Sequence, residues 1–93
     1  MLKHNSYFDG LVQSVGFSRY GRAQSVGVIE PGQHRFGTQA PERMTIVSGE
    51  LGVKRAGEAT FIIFAAGTAF EVAGDSSFEV QASEPCAYFC EYL

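Results

Sequence analysis

No block of like charge and no long apolar run occurs anywhere in these 93 residues. Basic side chains are few. Seven Lys and Arg against ten Asp and Glu leave a formal net charge of −3, which argues against a general nucleic-acid or membrane-surface binder, since both depend on a basic face. No stretch approaches the roughly 20 apolar residues that cross a bilayer, and the opening MLKHNSYFDG lacks the apolar core of a signal peptide. A cytoplasmic location is therefore expected. Cysteine is limited to Cys86 and Cys90, four apart in one expected strand with Tyr88 between them. Both side chains then point to the same face, where a mutual disulfide is sterically poor, so buried thiols are expected. A zinc or nucleophile reading of them lacks a second ligand pair or a histidine partner. Sustained helical periodicity is missing too.

What is present is short alternating segments between turns. The hydrophobic fraction of 45%, with 13% aromatic and 18% charged residues, is that of a globular protein, and eleven glycines suggest many tight turns. A chain of this length buries only about 60 to 65% of its unfolded surface, which leaves room for one domain, residues 1–93. Residues 1–10 read as an arm whose Tyr7 and Phe8 should dock on the body or on a partner subunit. Strands are expected over 11–19, 22–30, 34–39, 44–54 with a hinge at Gly49 or Gly52, 60–65, 68–73, 76–83 and 87–93. The apolar run TFIIFA suits a strand covered on both faces. Such a series with glycine and proline turns reads as a small all-β sandwich or barrel.

The run GQHRFGTQAPERMTIVSG, residues 32–49, gathers two alternating strands, a turn and most of the polar chemistry. Glu42 is followed after six residues by Gly49, and Gly67 after five by Ala73 and Gly74. This spacing resembles that of cupins, which implies a single-domain cupin-like β-barrel, a double-stranded β-helix or jelly roll. The resemblance places the metal-binding histidines of cupins at Phe36, Thr38 and near Phe78, so only Glu42 remains as a ligand. A transition metal needs several converging donors; a metal-free site, with no cofactor, is expected.

The whole chain also resembles the pyrimidine/purine nucleoside phosphorylases. The residues that carry the likeness include Tyr7-Phe8 with Gly10, Ser14-Val15-Gly16-Phe17, Gly21-Arg22-Ala23, Ser25-Val26-Gly27-Val28, Pro41-Glu42, Ser48-Gly49, Ser77-Phe78, Glu84-Pro85, and the tail Tyr88, Cys90, Tyr92-Leu93. The family commonly has valine-proline-glycine where this chain has Val72-Ala73-Gly74, which loosens a turn and removes no functional group. The resemblance implies phosphate-dependent cleavage of many nucleosides into a free base and a pentose 1-phosphate, with phosphate as co-substrate, on a chain that forms homodimers.

Phosphorolysis of an N-glycosidic bond passes through an oxocarbenium-like sugar. Phosphate must be held, the departing base gripped and neutralised, and water excluded. Arg22 and Arg35 are the candidates for phosphate, because a guanidinium offers a planar fork to an oxyanion; the alternative for each, and for Arg43, is a solvated outer face. Thr38, Thr45 and Ser48 could add hydroxyl donors. Phe36 and Phe78 could stack on any base, or simply fill a small barrel. Glu42 is a candidate catalytic group that orients ribose hydroxyls or acts on the leaving base, against a strand-end carboxylate. His34 could give a proton to a purine, although a turn histidine in solvent is the plainer account. Tyr88 could bring its hydroxyl into the cavity or be a satisfied buried tyrosine. The rival to an enzyme is a non-catalytic cupin module that binds a small metabolite. A purely structural dimer would have its cavity packed shut by Phe36 and Phe78, whereas an open pocket lined by Arg22 and Thr38 would count against it.

Overall fold

Alternation punctuated by glycine and proline yields ten strands and no helix. The computed structural model describes all 93 residues, Met1–Leu93. In chain order the strands are β1 (Lys3–Tyr7), β2 (Val12–Arg19), β3 (Arg22–Ile29), β4 (Gly32–Thr38), β5 (Glu42–Ser48), β6 (Glu50–Arg55), β7 (Ile62–Ala65), β8 (Ala69–Val72), β9 (Ser76–Ala82) and β10 (Cys86–Tyr92). They form a six-stranded sheet, β1-β2-β3-β10-β5-β8, and a four-stranded sheet, β4-β9-β6-β7. Every pairing is antiparallel. The last eight strands nest like one long folded hairpin: β6 with β7, β5 with β8, β4 with β9, β3 with β10. That nesting is jelly-roll order. The ladders run as two facing sheets, and no ladder joins one sheet to the other.

The core lies between the sheets. Side chains of period two supply it: Val12 from β2, Ile29 from β3, Met44 and Ile46 from β5, Leu51 and Val53 from β6, Phe78 and Val80 from β9, Cys86 and Cys90 from β10. Removing such a side chain from water stabilises the fold by roughly 1.5–3 kcal/mol. Because the period is two, a one-residue slip of β10 would turn Tyr88 and Cys90 outward and bring Phe89 in, which pins the register. The hinge between β5 and β6 is Gly49. It holds φ at +82°, and a Cβ there would meet the Pro85 carbonyl at 2.8 Å, so glycine is required on both counts.

Two local expectations are corrected. The run around β7 is not covered on both faces: β7 pairs only with β6 at the sheet edge, leaving Ile62 and Ile63 at 42% and 57% exposure. Only Phe64 turns inward, against Phe70 at 4.8 Å between ring centroids. His34 is not a solvent-exposed turn residue but a buried member of β4, with Nε2 3.4 Å from the Glu30 carbonyl.

The arm docks on the body as expected. β1 pairs with β2, and the turn after it carries Phe8, Asp9 and Gly10 in succession at φ of +53°, +56° and +87°. Left-handed conformation costs a non-glycine residue roughly 1–2 kcal/mol. The turn swings Tyr7 and Phe8 across to β4, where both meet Phe36.

Candidate functional site

A cavity of about 230 Å³ opens between the two sheets. Its two walls differ in chemistry because they come from different sheets. The six-stranded sheet contributes Ser14, Ser25, Glu42, Met44, Tyr88, Cys90 and Tyr92. The four-stranded sheet contributes Arg35, Phe36, Gly37 and Phe78, and the end of β1 and the turn after it add Tyr7 and Phe8. One wall is polar and the other aromatic. The volume falls a little below the ~300 Å³ lower end of ordinary small-molecule pockets, so a sizeable ligand has to use the open mouth as well.

On the polar wall, hydroxyls from neighbouring strands lie side by side. The Tyr88 ring crosses β3 over Gly27, and its hydroxyl reaches Ser14 on β2. Burial raises the Tyr88 pKa, so the phenol stays protonated. Ser25 lies beside Tyr92 and Cys90, its register partner across the ladder being Cys90. Cys90 Sγ donates to Glu42 Oε1 at 3.4 Å. Cys86 and Cys90 are free and buried, and burial raises both thiol pKa values. Burial likewise raises the Glu42 carboxyl pKa, and the Cys90 contact offsets this only in part. No cation is paired with that carboxyl: the neighbouring Arg43 faces the other side of the sheet, bound to Glu71 at 3.0 Å and Glu91 at 3.8 Å.

Aromatic rings form the opposite wall as a connected stack. Phe36 lies on Phe78 at 5.5 Å with a 26° interplanar angle, while Phe8 and Tyr7 meet it edge-on at 5.4 and 6.4 Å. Phe8 also covers His34 at 4.9 Å. The rings make few demands on what rests against them. Arg35 borders the cavity, but it alternates with the inward His34 and Phe36, so its guanidinium turns to the outer face of the four-stranded sheet, where it donates to the Ser77 hydroxyl at 3.1 Å.

Of the ten residues weighed from sequence, Glu42, Tyr88, Phe36 and Phe78 line the cavity, and Arg35 borders it from the outer face of β4. The other five lie elsewhere, His34 beneath Phe8 and Ser48 at the exposed end of β5. Arg22 is exposed beside the Tyr20–Gly21 turn, where the β2–β3 hairpin runs past the end of β10 pairing. Thr38 faces inward, but its hydroxyl donates to the Ala73 carbonyl at 2.6 Å and accepts from the Ser76 amide at 3.1 Å, so it ties β4 to the β8–β9 turn. Thr45 is on the outer side of the large sheet, since its neighbours Met44 and Ile46 point in. Ser14, Ser25 and Tyr92 are wall residues that the sequence did not single out. The repeated small residues Ser14, Ser25 and Gly27 opposite a tyrosine strand were the available signal.

The donor set does not fit a divalent transition metal. Phe36, Thr38 and Phe78 occupy the positions that resemble the cupin histidines, leaving Glu42 alone, and no group of three or more His, Cys, Asp or Glu converges anywhere.

The sequence profile of the pyrimidine/purine nucleoside phosphorylases matches residues 2–92. The chain belongs to this family. A relative from Sorangium cellulosum, named pyrimidine/purine nucleoside phosphorylase, is 58% identical over the full length of both chains. One of the same name from Anaeromyxobacter is 60% identical, covering 100% of this chain and 89% of that one. Among solved structures, a Vibrio parahaemolyticus protein of unknown function is similar at a TM-score of 0.97 and 55% identity, with 100% of this chain and 99% of that one covered. A cupin domain of an Enterobacter cloacae transcriptional regulator shares the fold alone, at a TM-score of 0.72 and 15% identity over 87% of this chain and 94% of that one. The phosphorylase family thus has a cupin-like all-β fold in this member.

Proposed function

We propose that this protein is a nucleoside phosphorylase that cleaves purine and pyrimidine nucleosides with phosphate, without a metal, to the free base and a pentose 1-phosphate. The two-walled cavity carries the reading. A nucleoside is itself two-sided, a flat π-faced base joined to a polyhydroxyl sugar. The base lies on Phe36, which Phe78 backs, with Phe8 and Tyr7 at its edge; stacking accepts any base because each has a π face. The pentose lies against the polar wall, where Glu42 and Tyr88 meet its hydroxyls and the scissile bond. Phosphate enters at the mouth and is held by Arg35, which leaves Ser77 on the outer face and reaches round the β4 edge of its sheet. A phosphate oxygen bonds to C1′ while the C1′–N bond breaks, its electron pair leaving on the base nitrogen, which takes up a proton. Arg22, Thr38 and Thr45 have no part in this arrangement.

The names borne by relatives that match end to end support the reaction class. The open cavity speaks against a purely structural dimer. We place the protein in the cytoplasm as a homodimer without nucleic-acid or membrane partners. Its dimer contact is the outer face of the large sheet, where Val15, Val26, Phe89 and Thr45 lie in one cross-strand row. The deciding experiment is release of base from inosine and from uridine by purified protein, with and without phosphate, in the presence of a chelator. Phosphate-dependent release that survives the chelator is expected. No release by folded protein would favour a metabolite-binding module.

A further inference from the structure

The Glu42 carboxyl is the one acidic side chain of the cavity, and its single side-chain partner is a thiol. That pairing is unusual. A carboxylate facing a pocket would ordinarily be matched by a guanidinium, an ammonium or amide donors, each of which favours the ionised form. Both arginines turn outward, Arg35 to Ser77 and Arg43 to Glu71. A thiol is the weakest donor available.

The buried ionisable groups beside Glu42 carry no charge. From β10 come Cys90, Tyr92 and Tyr88, all with pKa values raised by burial and therefore protonated and neutral. Tyr7 comes from the end of β1, the Arg35 guanidinium is turned away on the outer face of β4, and the cross-strand partner on β8 is the apolar Val72. Cys90 is the junction: it touches Glu42, Ser25 and Tyr92, and only 2% of it is exposed.

Resting on the phosphorylase reading above, we propose that Cys90 is a positioning residue: its thiol aims the Glu42 carboxyl at the substrate without ionising it, so that Glu42 hands its proton to the departing base. One carboxyl oxygen accepts the S–H. The other is the oxygen that burial disposes to hold a proton, and it serves as the donor. As the C1′–N bond breaks, the base nitrogen takes this proton and Glu42 becomes a carboxylate. The hydrogen phosphate that has bonded to C1′ returns a proton to Glu42 and leaves as the pentose phosphate dianion. The net change moves one proton from phosphate to base, with no other reactant.

The test follows the Glu42 carboxyl by carbon NMR titration of the intact protein, identified by its loss in Glu42→Gln, alongside the pH dependence of kcat. Cys90→Ala removes the donor, so the midpoint moves to higher pH; Cys90→Ser substitutes a stronger donor, so it moves lower. The rate lost as pH rises through Glu42 ionisation follows the carboxyl in both variants. We expect Cys90→Ala to lower kcat about tenfold with KM within about twofold, as loss of one aiming hydrogen bond implies, and Cys90→Ser to restore most of it. If Cys90→Ala does not fold, Cys90→Ser alone still reports the downward shift. An unmoved carboxyl midpoint overturns the proposal, as does a moved midpoint that the rate does not follow. If the midpoints move but the wild-type protein cleaves no nucleoside, the phosphorylase reading fails and the proton role with it, while the thiol–carboxyl coupling stands.

Discussion

The Tyr88 ring lies directly on the backbone of Gly27: a Cβ built there would be 2.6 Å from both the ring and its hydroxyl oxygen. No side chain fits beneath it. This is how a tyrosine on β10 reaches past β3 to Ser14 on β2. A strand glycine weakens a sheet unless something must come close to the backbone, and here the tyrosine does.

Gly27→Ala should therefore displace the tyrosine. The same Cβ would also meet the Gln13 carbonyl at 2.8 Å, so relaxation on one side is blocked by the other. A loss of about 1–3 kcal/mol is expected from overpacking, measured by denaturant unfolding. Tyr88→Phe removes only the hydroxyl and should cost about 1 kcal/mol. Equal stability of Gly27→Ala and wild type would mean the ring moves freely.

Much of the strand pattern could be read in advance, because alternation survives wherever one face is buried. Phe36 and Thr38 share the inner face of β4, and Glu42 and Tyr88 reach the cavity. What alternation could not say is which of two faces points inward. On β2 the set with Val15 and Phe17 is the more apolar, yet the set with Val12 and Ser14 is inside. The reason is physical: the inner face lines a polar cavity wall, and the apolar set covers the outer side of the sheet. The same ambiguity hid Ser25 and misplaced Thr45. Arg22 was misplaced because hairpin length, which sets how far β3 runs beyond β10, depends on pairing rather than composition. Thr38 was on the correct face, but its hydroxyl is consumed by a distant turn.

That outer face yields a second prediction. Val26 and Val28 remain 46% exposed and Val47 60% exposed, around a row with no charge in it. Val26→Glu would place a carboxylate in the proposed homodimer contact, where an unpaired buried charge is costly. The dimer dissociation constant should rise at least about 100-fold, or about 2.7 kcal/mol, as read by light scattering across a dilution series. A variant that stays dimeric, or a wild-type protein that is monomeric, would remove this face from consideration.

The aromatic wall predicts substrate breadth. Phe36→Ala removes the ring on which the base is proposed to rest, a change worth about 1–3 kcal/mol per stacked base. KM for inosine and for uridine should both rise about 10- to 100-fold, while KM for phosphate stays within about twofold. A rise confined to one nucleoside would show that something other than a π face is being recognised.

Glu42 makes the site expensive for the fold. Its folded pKa is raised, so the unfolded chain gives up this proton at lower pH than the native one. The stability associated with the neutral carboxyl is fully present below the unfolded value of 4.5 and is lost as pH rises through the folded value. Glu42→Gln keeps the shape without the titration. Its melting temperature should exceed that of the wild type at pH 8 and approach it at pH 4, while kcat falls by about 10²- to 10⁴-fold, the usual range for a lost proton donor. Identical pH dependence of melting in the two proteins would show that Glu42 ionises as freely in the fold as out of it.

Phosphate should be read by one arginine and ignored by the other. Arg35 borders the cavity at the β4 edge and offers its guanidinium on the outer face to a neutral hydroxyl, Ser77, a partner that a phosphate oxygen can displace because a charge-assisted hydrogen bond is roughly twice as strong as a neutral one. Arg35→Ala should raise KM for phosphate about 10- to 100-fold and leave KM for nucleoside within about twofold, with Arg35→Lys in between since an ammonium keeps the charge but not the fork. Arg22 sits at the exposed β2–β3 turn beside Arg19, with which it pairs across the hairpin. Its alanine variant should change neither constant by more than about twofold. The reverse pattern, with Arg22 governing phosphate, would require that hairpin to reach an active site from outside, which in a homodimer means the site of the other subunit.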